Sequence, residues 1–149
     1  MKPVLGVVIF LVGSILAVGQ VTETDWVRGT DFSRYHSYTW ATSVYPIQDP
    51  DASMGIASIV QAELQAKEVQ FVGPQQKFDL FVTYNAQINP DPQKPSRKLI
   101  TVALRIFDSR NNQVIWRAGG NVALVNDKKQ NRISVRELIA AMFQKYPPS

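Results

Sequence analysis

The stretch Leu99–Leu124, LITVALRIFDSRNNQVIWRAGGNVAL, carries the strongest fold signal in the chain. Large aliphatic residues recur at every second position through Leu99–Phe107, which is the period of a strand that buries one face. A polar segment, Asp108–Gln113, separates this strand from a second apolar segment that begins at Val114. The stretch therefore predicts an antiparallel hairpin whose three-residue loop ends at Asn112, in the left-handed conformation that asparagine tolerates.

The hydrophobic pattern also selects the register of this hairpin. With a three-residue loop, Ser109 pairs with Gln113 and Ile106 lies opposite Trp116. A slip by one residue would turn every side chain of one strand to the other face and mix polar with apolar neighbours. We therefore expect the apolar side chains of both strands to share the inner face of the sheet.

This register makes Arg105 and Arg117 neighbours on the outer face. Phe107 points the same way, and so does Phe81 if the alternation of its own strand holds. Like charges set opposite each other destabilise a sheet unless an anion lies between them, so these four residues are the candidate binding site. The alternative is a solvated face whose arginines pair with acidic residues of the same chain.

The rest of the chain contains weaker hydrophobic patterns that predict further strands and helices. Alternation predicts four further strands, and apolar residues on one helical stripe predict two helices. The strands are Val21–Arg28, Ser37–Thr42, Val69–Val72 and Asp79–Ile88. The helices are Met54–Lys67, with Asp51 or Ser53 as N-cap, and one that starts at the capping box Ser134–Glu137.

These elements predict a single α+β domain over residues 20–149. Each helix has one apolar stripe and the strands share one apolar face, so the expected fold is an antiparallel sheet with both helices packed on one face. The order along the chain is ββ-α-ββββ-α. The sequence contains no internal repeat, and its composition does not change along the chain in a way that would mark a second domain.

The N-terminus predicts export. A short, positively charged N-terminal region at Lys2 precedes the apolar segment Val4–Val18. The small residues Ala17 and Gly19 lie three positions and one position before Gln20. This pattern is typical of a signal peptide spanning residues 1–19. An uncleaved membrane anchor is the alternative, but fifteen helical residues rise only about 22 Å, less than a hydrocarbon core of roughly 30 Å. A lipoprotein would need cysteine where Gln20 stands, so we expect an exported protein of the periplasm or envelope without a lipid anchor.

Composition excludes several kinds of chemistry. The chain of 149 residues contains no cysteine and one histidine, which excludes disulfides, thiolate metal sites and cysteine nucleophiles. We expect no cofactor and no metal. The formal net charge is +4, and an exported protein does not meet nucleic acid, so the counterparts of its basic residues are anionic lipids or wall polymers. The basic cluster is Lys128, Lys129, Arg132 and Arg136, for which a solvated loop leading into a helix is the simpler interpretation.

His36 is the residue on which an enzymatic function would depend. A histidine acts as a general base when a carboxylate orients it, and Asp31 is near in sequence. No nucleophile or metal partner is evident, and a capping or turn role explains Asp31 and Asp79. We therefore expect no catalytic site. An envelope hydrolase that uses carboxylates and His36 is the alternative, and a cleft shared by His36 and two carboxylates would favour it.

Four segments of the chain form a recognisable series: DFSRYHSYTW at Asp31–Trp40, DLFVTY at Asp79–Tyr84, Asp108 followed by VIWR at Val114–Arg117, and Phe143 with Tyr146–Pro148. In this order they resemble a bacterial envelope family catalogued as domain of unknown function 4136. The resemblance implies an envelope location and no established activity. The lipoprotein cysteine of many members is missing, and Ala118 stands where the family usually has glycine. The expected function is a non-catalytic interaction module for an envelope protein, a lipid or a wall polymer.

Overall fold

The structure of the protein, a computed structural model, describes residues 19–41 and 55–148. The predicted signal segment lies outside the described residues except for Gly19, and so do the predicted N-caps Asp51 and Ser53. Within the described ranges, none of the helices has the length and apolarity needed to cross a bilayer.

The described chain forms six strands, two α-helices and one short 3-10 helix at Phe32–Arg34. The strands are β1 (Gln20–Trp26), β2 (Ser37–Trp40), β3 (Gln70–Phe71), β4 (Leu80–Pro90), β5 (Lys98–Asp108) and β6 (Gln113–Ala123). The helices are α1 (Ile56–Ala66) and α2 (Lys128–Phe143). The α+β class is confirmed, and the chain order differs from the predicted one by the 3-10 helix between β1 and β2.

The strands form one mixed sheet in the order β1-β6-β5-β4-β2-β3. The prediction of a purely antiparallel sheet is wrong, because β2 runs parallel to both β3 and β4. Parallel neighbours need a long crossover, and the segment that contains α1 provides one between β2 and β3. The remaining pairs, β1·β6, β4·β5 and β5·β6, are antiparallel.

The body of the β5–β6 hairpin has the predicted register. Ile106 lies opposite Trp116, while the next pair joins Phe107 to Val114. Ile115 is therefore an extra residue on β6, which makes this point a β-bulge.

The bulge shifts the turn of the hairpin by one residue. The predicted pair of Ser109 with Gln113 is wrong, since Asp108 pairs with Gln113 instead. The predicted left-handed conformation is confirmed, with φ of 56° at Asn112. The Asn112 backbone N–H donates to the Asp108 carbonyl over 2.8 Å and closes the turn.

Both helices cover the inner face of the sheet. α2 packs on β6 and β1, and α1 packs on α2 and β3. Trp116 of β6 stacks on Phe143 of α2 with ring centroids 5.4 Å apart. The buried stripe of α1 belongs to the same hydrophobic cluster, so one core lies between the helices and the sheet. That stripe consists of Ile56, Val60 and Leu64.

α2 begins six residues before the predicted capping box. The N-cap is Asp127, whose carboxylate accepts from the backbone N–H groups of Lys129 and Gln130. Ser134 is instead a buried residue inside the helix. The prediction failed here because the first turn contains lysines rather than the acidic residues that normally mark a helix start.

Candidate functional site

The outer face of the sheet, turned away from both helices, carries the four predicted binding residues. Its first feature is an apolar row, in which Phe81 lies opposite Phe107 and Phe107 lies opposite Val114. Both phenylalanines are partly buried. Phe78 adds an edge-on ring contact to Phe81 at 4.7 Å between centroids. The row therefore forms a partly exposed apolar strip across three strands.

A charged row runs beside the apolar row. Thr83 lies opposite Arg105, Arg105 opposite Arg117, and Arg117 opposite Asp25. The predicted juxtaposition of the two arginines is thus confirmed. It arises because alternation directs the aliphatic neighbours of Arg105 and the Trp116 ring into the core, leaving both guanidinium groups outside.

Arg117 is paired within the chain. Its Nε donates to Oε1 of Glu23 over 2.9 Å, and its Nη2 lies 3.5 Å from Oδ2 of Asp25. All three side chains are at least half exposed, so solvent screens these pairs. For Arg117, the alternative of pairing with acidic residues of the same chain is therefore correct.

Arg105 differs from Arg117 in making no ion pair among the residues that the structure describes. It is exposed, and no carboxylate in the described ranges lies within ion-pairing distance of its guanidinium. Its cross-strand partners are Thr83, which is neutral, and Arg117, which has the same charge. The outer face therefore holds one guanidinium whose hydrogen-bonding capacity is open to a partner.

A shallow groove of about 280 Å³ lies beside Arg105 where β6 meets β1. Its lining combines both arginines with apolar surface from Trp26 and Val114 and with the carboxylate of Asp25. The Arg28 guanidinium lies over the Trp26 ring at 4.2 Å from its centroid, a cation–π contact that extends the basic surface around this edge.

A second polar cluster lies at the end of the sheet where β5 turns into β6. The Tyr35 hydroxyl donates to Oδ2 of buried Asp108 over 2.9 Å, and the Arg110 guanidinium donates to both oxygens of that carboxylate. Hydrogen bonding from Arg110 holds the pKa of Asp108 well below its usual range. Burial and the bond to Asp108 raise the pKa of Tyr35.

A pocket of about 230 Å³ opens beside this cluster. Three cationic residues line it with aromatic and polar neighbours: Arg34, Lys77 and Arg110 with Tyr35, Phe78, Asp79 and Ser109. This grouping cannot be predicted from the sequence, because the three cations come from separate segments and no spacing along the chain connects them.

His36 lies outside both openings. It is exposed, and its backbone N–H donates to Oδ2 of Asp79 over 2.8 Å. The same oxygen accepts from the backbone N–H of Ser37, so Asp79 ties the start of β2 to the start of β4. Asp31 accepts from Ser33 and caps the 3-10 helix, and the Ser33 hydroxyl lowers its pKa. The structure thus does not bring these three residues into one cleft.

No group of three or more acidic, histidine or cysteine side chains able to hold a metal ion occurs among residues 19–41 and 55–148.

Comparison with known proteins gives a family and a fold. The family described as domain of unknown function (DUF4136) matches residues 22–148. No curated protein sequence matches the chain significantly.

Three solved structures are similar in fold. A DUF4136 family protein from Bacteroides thetaiotaomicron is 9% identical with a TM-score of 0.62, and the match covers 87% of this chain and 96% of that one. The PelC dodecamer from Paraburkholderia phytofirmans is 14% identical with a TM-score of 0.55, covering 85% of this chain and 96% of that one. A PDZ domain protein from Parabacteroides distasonis is 16% identical with a TM-score of 0.66 over 89% of this chain. The chain spans only 37% of that longer protein.

Proposed function

The chain belongs to the DUF4136 family, and from that premise we propose that it is an exported, non-catalytic envelope protein that binds an acidic partner through the outer face of its sheet. The observation that carries the proposal is the open guanidinium of Arg105 beside the apolar row of Phe81 and Phe107. Guanidinium groups next to partly buried aromatic surface are the residue types that interfaces concentrate.

The two rows together suggest the chemistry of the partner. Arg105 would contribute a charge-assisted, bidentate hydrogen bond to a carboxylate or phosphate. Phe81 and Phe107 would cover an adjacent apolar portion of the same partner. Acidic envelope proteins, anionic lipids and acidic wall polymers carry such groups, and the predicted signal peptide would bring the chain to them. A second copy of the chain is a further partner to test, because PelC forms a dodecamer.

The non-catalytic part of the proposal rests on the roles of the polar residues. Two backbone N–H groups occupy one oxygen of Asp79, and Ser33 occupies Asp31. The alternative of a hydrolase needs a carboxylate that orients the His36 ring. Loss of a hydrolytic activity toward envelope material in His36→Ala would support that alternative instead.

Retention on isolated envelope material tests the proposed binding. The double variant Arg105→Ser/Arg117→Ser should lose retention, because it removes both guanidinium groups of the charged row while keeping polar side chains at both exposed positions. Retention of the unchanged protein should also fall as salt rises, since the Debye length shrinks from about 8 Å at physiological ionic strength to about 3 Å at 1 M.

A matched control separates the site from overall charge. Arg132→Ser/Arg136→Ser removes two exposed cations from α2 and should leave retention unchanged. If both double variants fold normally and bind as well as the unchanged protein, the outer face is not the binding site.

A further inference from the structure

We infer that the pocket of Arg34, Lys77 and Arg110, which we call the end pocket, binds a phosphomonoester group. Its lining shares no residue with the groove beside Arg105, and its residues come from the 3-10 helix, the segment before β4 and the β5–β6 turn. The inference rests on which charges in this pocket are already used within the chain and which are open.

The carboxylates near the end pocket are already occupied. Oδ2 of Asp79 accepts two backbone N–H groups, over 2.8 and 3.2 Å. Asp108 accepts from the Tyr35 hydroxyl and from Arg110. The Ser109 hydroxyl is occupied as well, since it donates to the Phe78 carbonyl over 2.9 Å. These hydrogen bonds hold the pocket wall in place, and Asp79 is the one acidic side chain among the described residues that line the pocket.

Most N–H donors on the cationic side chains of the end pocket have no acidic partner in the described part of the chain. Neither Arg34 nor Lys77 has an acidic partner within ion-pairing distance in the described part of the chain. Arg110 uses Nε and Nη2 on Asp108 and leaves Nη1 open. Two cationic side chains without an ion pair and the open Nη1 of Arg110 therefore line the pocket, and Asp79 on its wall offsets one of their charges.

The arrangement fits a phosphate group better than a carboxylate. A phosphomonoester carries a charge of about −1.5 to −2 and three strong acceptor oxygens, so it can use donors that approach from three directions. A carboxylate is planar and has two oxygens. The pocket volume of about 230 Å³ lies below the roughly 300–1,000 Å³ of sites for drug-sized ligands, which favours a small head group. Phe78 supplies an apolar wall for the carbon atoms next to the phosphate.

Calorimetric titration of the purified protein with inorganic phosphate and with glycerol 3-phosphate tests the inference. We expect saturable binding of both. In Arg34→Gln/Lys77→Gln the affinity should fall at least about tenfold, because each lost contact is a charge-assisted hydrogen bond. Both positions are exposed, so this variant should fold, and its circular dichroism spectrum and unfolding midpoint check that it does.

Two controls define the outcome. Lys129→Gln/Arg132→Gln removes the same charge from α2 and should bind phosphate as the unchanged protein does. Arg105→Ser/Arg117→Ser should also bind phosphate normally, so failure of the outer-face proposal remains distinguishable from failure of this one. Absence of saturable binding, or an equal loss in the α2 control, would overturn the end pocket as a phosphate site.

Vesicles distinguish the two sources of a phosphomonoester. Phosphatidylcholine vesicles with and without phosphatidic acid are sedimented with the protein and with Arg34→Gln/Lys77→Gln. If phosphatidic acid increases sedimentation of the unchanged protein alone, the pocket takes a lipid head group. If glycerol 3-phosphate binds in solution but phosphatidic acid has no effect, the ligand is a soluble ester.

Discussion

Substituting Gly120 by alanine should destabilise the protein, whereas the same substitution at Gly119 should not. A Cβ at Gly120 would lie 2.7 Å from the Gln20 carbonyl oxygen and 2.7 Å from Cδ1 of Leu138. It would also lie 3.1 Å from Cε of Met142. The helix α2 therefore packs on β6 at a point where no side chain fits between them.

The size of the effect follows from comparing the two glycines. Neither has a positive φ, so alanine is compatible with both backbones and reduces the entropy of the unfolded chain similarly, by about 0.5–1 kcal/mol. At Gly119 the nearest atoms to a Cβ are 3.7 Å away, which is ordinary contact. Overpacking at a filled position costs about 1–3 kcal/mol. The two variants should therefore differ in unfolding free energy by about that amount.

Urea denaturation measures this difference. Gly120→Ala should lower the midpoint with an unchanged m-value, and Gly119→Ala should leave the midpoint unchanged or raise it. The Leu138 side chain can turn away, but the Gln20 carbonyl belongs to the backbone of β1 and cannot yield without shifting the strand. Equal stability of the two variants would refute the close packing of α2 and β1 around Gly120.

Three further predictions concern stability. Phe143→Ala removes a side chain that is 1% exposed and should cost about 3–5 kcal/mol by chemical denaturation; a loss under about 1 kcal/mol would contradict its place in the core. Asp127→Ala should cost about 0.5–2 kcal/mol, because the N-cap of α2 loses two accepted N–H bonds, and an unchanged unfolding free energy would contradict that role. Asp108 has a lowered pKa when folded, so it contributes stability above its unfolded pKa of about 3.9 that is lost as pH falls further. The unfolding free energies of the unchanged protein and Asp108→Asn should thus differ by a constant amount from about pH 8 to 5 and converge in acid; a difference that does not shrink in acid would contradict the assignment.

The parts of the fold that the sequence predicted are those set by local periodicity. Alternation in β5 identified the inner residues, and the polar turn around Asn112 fixed the hairpin closely enough to place Arg105 opposite Arg117. Strand direction could not be predicted in this way, because inner and outer residues alternate identically in parallel and antiparallel strands. Nothing in Ser37–Trp40 could reveal that β2 runs parallel to β4.

The candidate sites likewise combine features that follow from the local sequence with features that depend on the topology of the sheet. Arg105 and Arg117 were placed together by register, a local property, but the partners of Arg117 lie on β1 at Glu23 and Asp25. Their alternation was visible in the sequence, while the pairing of β1 with β6 was not. The end pocket could not be predicted from the sequence. Lys77 lines the same pocket as Arg34 and Arg110 only because of the order of the strands in the sheet.

Photo-crosslinking from the outer face tests the binding function most directly. A photoreactive amino acid replaces exposed Thr101 on the outer face of β5, or exposed Glu137 on α2 as a control, and the protein is irradiated with envelope material. We expect a discrete crosslinked product from position 101 that disappears in Arg105→Ser/Arg117→Ser, and none from position 137. Equal crosslinking from both positions, or a product from position 101 that survives loss of both arginines, would rule out binding through the outer face.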